Sequence, residues 1–140
     1  MKKSDDLPTD IGLLVLRLAL AAVFVFHGSQ KLFGLFGGYG IEGTAGWMES
    51  IGIPFATVSA VLAGSAEFFG GLALLTGFAQ RLLAVPLTIT MFVAAFTAHH
   101  GFDASQGGME YPLTLAFAVA AMGATGPGRF AVRLGRSSEA

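Results

Sequence analysis

An all-α, integral membrane four-helix bundle is the fold class this sequence predicts, and three observations carry it. Hydrophobic residues make up 54% of the 140, charged residues 12%, and phenylalanine occurs thirteen times, which is not the make-up of a soluble domain of this size. The apolar residues come in four blocks: 11–26 with Arg17 as its one charge, 54–78 with Glu67, and 82–98 and 111–126 with none. A hydrocarbon core of about 30 Å takes roughly 20 residues at about 1.5 Å each, close to what the blocks and their flanks supply. A soluble bundle would keep polar outer faces on its helices, and these segments have none.

The first span is expected at 11–33, where the apolar block runs on through "HGSQKLF" and sets His27 and Lys31 near the far surface. A cleaved leader is the competing reading of "MKK" before an apolar run, but Asp5, Asp6, Asp10 and Arg17 spoil both the basic start and the apolar core, so no cleavage is expected. A glycine-rich outer loop follows at about 34–53, with Tyr39 and Trp47 as interfacial anchors. It is too long for a connector and reads as a re-entrant or surface-lying segment that caps the bundle. Pro54 opens the second span, 54–78. The third and fourth spans, 81–99 and 110–126, are short and need polar flanks or local bilayer thinning; Pro86 is expected to kink the third. The second outer segment, "HHGFDASQGGMEYP", places Glu110 where a helix N-terminus favours negative charge.

Four spans put both termini on one side, which holds Lys2, Lys3, Arg81, Arg129, Arg133 and Arg136 against Lys31 alone on the other. The positive-inside rule makes that side the cytoplasm. The expected organisation is one transmembrane domain over 1–140 with short cytoplasmic tails. A net charge of −1 gives no sign of a nucleic-acid partner, and the basic C-terminal tail reads as a topology signal touching anionic lipid. There is no cysteine for a disulfide, thiol relay or iron–sulfur cluster.

Two charges lie inside spans. Ala60, Ala63, Gly64, Gly70, Gly71 and Leu74 fall within about 60° of Glu67 around a helix, so Glu67 faces a close-packed helix interface built from small residues. Arg17 is its expected partner by depth: it sits roughly 9 Å from the start of the first span, and Glu67 about 10 Å short of the same surface. A charge in mid-membrane costs about 2.5 to 3.5 kcal/mol, which pairing reduces. The ion pair serves equally as a fixed link between helices or as a functional group.

A second polar group gathers on the outer side, from His27 and Lys31 one turn apart, His99 and His100 at the end of the third span, and Glu110 at the start of the fourth. Histidines at helix ends are often merely wet interfacial residues. The sharper reading is a pocket beneath the loop that carries Trp47, binding the head group of a lipid-soluble molecule, chemistry that suits a quinone. No compact metal-ligand spacing is present, so neither a metal nor a haem is expected.

The stretches "LRLALAAVFVFHGSQKLFG", "GGYGIEGTAGWMESIGIP", "AGSAEFFGGLALLTGFAQRLLAVPLTITMFVAAFTAHH" and "GATGPGRFAV" resemble the DoxX family of small bacterial membrane proteins, over roughly residues 11 to 133. The matching pattern is an arginine in the first helix, H-G-x-x-K-x-x-G, a glycine-rich loop reaching G-x-P, E-x-x-G-G, and histidines before the fourth helix. In this chain those positions are Arg17, His27, Gly28, Lys31, Gly34, Gly52, Pro54, Glu67, Gly70, Gly71, His99 and Glu110.

The resemblance implies a multi-pass protein of the bacterial inner membrane. It also implies a link to quinone, thiol or oxidative-stress redox systems, since the family name derives from a quinone-linked sulfur oxidoreductase subunit. The chain shows no nucleotide loop, flavin fingerprint or cysteine pair, so a redox role requires a partner protein that carries the cofactor. Two other classes compete: a scaffold or homo-oligomer in which the charges fix packing, and a carrier of a small molecule or proton.

Overall fold

A computed structural model describes residues 6–133; Lys2, Lys3 and Arg136, used above for orientation, lie outside the described residues. Five α-helices and two short 3-10 turns make up the described chain: α1 (Leu7–Phe33), α2 (Gly40–Ser50), α3 (Ala56–Thr76), α4 (Gln80–Thr97) and α5 (Glu110–Thr125). By length and composition α1, α3 and α4 can cross a membrane. The fourth expected span, α5, has 16 residues, about 24 Å of helix, and is as short as its apolar block foretold.

The boundaries follow from backbone chemistry. Pro8 lies in the first turn of α1, where a missing N–H is harmless, and Gly34 ends the helix in the left-handed conformation at φ 67°. Gly77 ends α3 in the same way, its N–H donating to the Ala73 carbonyl at 2.7 Å, so that α4 begins only three residues later. The helix α4 runs through Pro86 without interruption, and the Thr90 hydroxyl donates to the Pro86 carbonyl at 2.8 Å.

The segment expected as a glycine-rich loop contains α2. Its buried residues Thr44, Ala45 and Met48 form one helical face, and Ala45 and Met48 pack against Ala60 of α3. Glycines at 40, 43 and 46 lower its intrinsic helix propensity, and packing outweighs that cost.

Helices α1 and α3 run antiparallel at backbone contact. Val25 faces Gly71, Gly28 faces Phe68 and Leu32 faces Gly64, and a Cβ on Gly28 would stand 2.4 Å from the Phe68 nitrogen. Small residues are what lets two helices approach this closely in lipid. Beside them α4 pairs with α5, with Ala84 against Gly123 and the rings of Phe92 and Phe117 edge to face at 5.6 Å. The core at the centre of the four long helices joins Leu20, Ala21 and Phe24 to Leu74, Leu87, Met91 and Val119. Facing outward are Leu62 at 64% exposure, Leu82 at 72% and Phe117 at 61%, the surface of a helix bundle that meets lipid and not water.

Candidate functional site

Glu67 is buried on α3, one turn from Gly64 and one from Gly70 and Gly71, which hold α1 and α4 close on either side. Its partner is Lys31, in the last turn of α1, whose Nζ donates to Glu67 Oε2 at 2.7 Å. The carboxylate side chain is 4% exposed and the lysine 25%, so the pair bridges the protein interior and the open space beyond it. Lysine also suits the C-terminal end of a helix, where backbone carbonyls leave partial negative charge.

The expected Arg17–Glu67 pair is therefore corrected: among the described residues Glu67 is matched to Lys31. The antiparallel alignment gives the reason. Glu67 stands about level with residue 29 of α1, and Arg17 is twelve residues, roughly 18 Å, further along. The error lay in taking the ends of the two helices as level: in this register Arg17 stands beside residue 79, past the end of α3 at Thr76.

Arg17 has a different task. Its Nε donates to the Leu74 carbonyl at 2.8 Å and its Nη2 to Leu75 at 3.0 Å, while Nη1 reaches Pro127 at 2.8 Å and Phe130 at 3.1 Å. Leu74 and Leu75 belong to the last turn of α3, where carbonyls have no partner within the helix. The buried guanidinium thus caps one helix and fastens the chain that follows α5 to it.

Around the Lys31–Glu67 pair lies a cavity of about 420 Å³ walled by four helices. Trp47 and Met48 come from α2, Leu62 and Ala63 from α3, Ile89 and Val93 from α4, and His99 from just beyond the end of α4. Leu62, Ile89 and Val93 are also among the large hydrophobic residues exposed on the outside of the bundle. The hydroxyls in the wall donate to backbone carbonyls: Ser59 to Pro54, Thr90 to Pro86 and Thr97 to Val93, at 2.7 to 2.8 Å. Lys31, Glu67 and His99 are the ionisable side chains among the described residues of the wall.

One nitrogen of His99 is held by the backbone. Its Nδ1 lies 2.8 Å from the Ala94 carbonyl, an oxygen that only accepts, so Nδ1 carries a hydrogen. A smaller cavity of about 370 Å³ is lined by Gln30, Tyr39 and Thr44, and Lys31 and Trp47 stand in the wall of both.

Of the polar group expected on this side, the structure brings Lys31, Trp47 and His99 together with Glu67. His27, His100 and Glu110 are not among the described residues that line the cavity. The half-buried His27 ring meets Phe26 edge to face at 5.3 Å. His100 is exposed, and its backbone N–H donates to Gly107 at 3.3 Å. Glu110 Oε1 accepts the N–H of Ala104 at 2.7 Å and so folds the connection between α4 and α5.

One buried polar residue escaped the reading of the sequence. Gln80 opens α4 and donates from Nε2 to the Met122 carbonyl at 2.8 Å, tying α4 to α5. Its place directly after the Gly77 turn was the available signal.

Comparison with known proteins gives concordant results. The family model described as DoxX matches residues 12–100. Inner membrane protein YqjF of Escherichia coli (strain K12) is 31% identical over 134 residues, 94% of this chain and 94% of that protein. Inner membrane protein YphA of the same organism is 30% identical over 65% of this chain and 61% of its own length. A Bacillus subtilis (strain 168) protein named "Putative oxidoreductase CatD" is 32% identical over 63% of this chain and 60% of its own length. No solved structure matches.

Proposed function

The chain belongs to the DoxX family and is a multi-pass inner-membrane protein, and on that premise we propose that it is the membrane component of a quinone-linked redox system. The observation that carries this reading is the Lys31–Glu67 pair at 2.7 Å, set with His99 in an otherwise apolar cavity of about 420 Å³. A quinone ring needs apolar walls and a hydrogen-bond donor at a carbonyl oxygen, and Lys31 supplies the donor. Two-electron reduction of that ring takes up two protons: the Lys31 ammonium holds a proton at the site, and Glu67 and His99 are the groups that can take up further protons and pass them on. Electrons come from a partner protein, since the chain shows no nucleotide loop, flavin fingerprint or cysteine pair. Both termini face the cytoplasm in this reading, where the basic residues collect.

Trp47 is the single tryptophan of the chain and lines the cavity, so it reports on occupancy. Titrating the detergent-purified protein with a short-chain quinone should quench its fluorescence saturably, and Glu67→Gln or His99→Ala in folded protein should weaken binding about tenfold or more. Quenching that rises linearly without saturation, identical in all three proteins, would remove the quinone reading and leave a scaffold in which the pair fixes helix packing.

A further inference from the structure

A second large cavity lies at the other end of the bundle, about 970 Å³, where α1 and α4 begin and α3 and α5 end. Its wall carries both signs of charge: Arg81, Arg129 and Arg133 on one hand, Asp6 and Asp10 on the other. Apolar Leu13, Phe78 and Val132 complete it, the last two exposed on the outside of the protein. We propose that this cavity seats the headgroup of a zwitterionic phospholipid, a phosphate diester bearing a primary ammonium.

The chain after α5 builds the site. Arg17 holds its Pro127 and Phe130 carbonyls, and the Val132 N–H donates to the Thr76 carbonyl at 2.8 Å, so the segment is strapped across the end of α3. The strap brings the two signs side by side: the Arg129 N–H donates to Asp10 Oδ1 at 3.0 Å. Gly128, at φ 72°, makes this approach feasible, since a Cβ there would stand 2.9 Å from the same oxygen. At the far edge Gly126, at φ 82°, lies against the Arg81 guanidinium, with 2.8 Å between its notional Cβ and Nη2, and Arg81 Nη2 donates to the Thr125 carbonyl at 3.3 Å.

Arginine presents a planar fork of donors suited to the oxygens of a phosphate, and one carbonyl bond leaves most of the five donors of Arg81 for that purpose. A carboxylate offers about four acceptor positions, so Asp6 and Asp10 retain capacity for an ammonium after their bonds to Thr9 and Arg129. The mixture of signs selects the ligand. An anionic headgroup brings no positive charge to the two aspartates, and a quaternary ammonium has no N–H to donate. The position at the helix ends and the apolar edge of Phe78 and Val132 let acyl chains run from the cavity along the outer surface of the bundle.

Native mass spectrometry of the full-length protein in detergent tests the proposal, with an equimolar mixture of phosphatidylethanolamine, phosphatidylglycerol and phosphatidylcholine of identical acyl chains. The ethanolamine lipid should exceed each of the others as a one-to-one adduct by about fivefold; Asp6→Asn combined with Asp10→Asn should abolish the preference, and Arg81→Gln should weaken the adducts of all three. Equal adducts of all three, or a preference for the glycerol lipid, would overturn it, as would a folded Asp6→Asn, Asp10→Asn protein that keeps the full preference. Should that variant fail to fold, Asp6→Asn alone, at an exposed position, serves in its place: a reduced preference is expected, and an unchanged one would overturn the proposal.

Discussion

The Nε of Arg17 lies 2.8 Å from the carbonyl oxygen of Leu74, so a charge from the middle of α1 closes the end of α3. Three further carbonyls share the same guanidinium, and none of the four bonds is to a carboxylate. Replacing Arg17 by alanine strands buried acceptors, and hydrogen bonds to charged groups are worth about 1.5 to 3 kcal/mol each. A loss of at least about 3 kcal/mol is expected, read as a fall in the thermal midpoint in detergent. Arg17→Lys should recover only a part, because an ammonium on a flexible stem cannot reproduce the planar fork.

Lys31 and Glu67 should behave as a coupled pair. Glu67→Gln and Lys31→Met each break the bond and leave a polar partner behind, whereas the double variant removes both charges. A double-mutant cycle on unfolding in detergent should give a coupling of about 1 to 3 kcal/mol, and strict additivity would contradict the pairing. The same cycle run on Arg17 and Glu67 should be close to additive, since these residues share no partner.

Two glycines of α1 provide a matched comparison. A Cβ at Gly28 would collide with the backbone of Phe68, and Gly28→Ala should cost about 1 to 3 kcal/mol or prevent folding. At Gly12 nothing lies within 4 Å, and Gly12→Ala should stabilise α1 by about 0.5 to 1 kcal/mol. Thermal midpoints moving in opposite directions would confirm the seam.

Orientation is open to direct measurement. Reporter fusions active only in the cytoplasm, joined at either terminus, should both be active, and a fusion within 101–108 should be silent. Moving basic residues from the Arg81 turn to the opposite side should weaken the first result.

The helices were readable because their punctuation is chemical: Gly34 and Gly77 supply the left-handed turns that end α1 and α3, and Pro54 announces α3. Glu67 could be placed in a helix interface from its small neighbours alone. Its partner could not, because relative depth depends on the register of two antiparallel helices, and α1 runs well past the end of α3, so that Arg17 lies beyond Thr76. The helix α2 stayed hidden since its stabilisation comes from Ala45 and Met48 packing on Ala60, a tertiary contact that its glycines mask. His99 was marked as polar and near the surface, but only the structure shows that its Nδ1 is taken up by the Ala94 carbonyl.

Leu62, Ile89 and Val93 belong both to the wall of the Lys31–Glu67 cavity and to the outer face of the bundle, so the doorway opens sideways into hydrocarbon. An occupant arriving by that route comes from the two-dimensional pool of membrane solutes. Its supply is counted per lipid molecule and not per litre, and a compound nearly insoluble in water can still saturate the site.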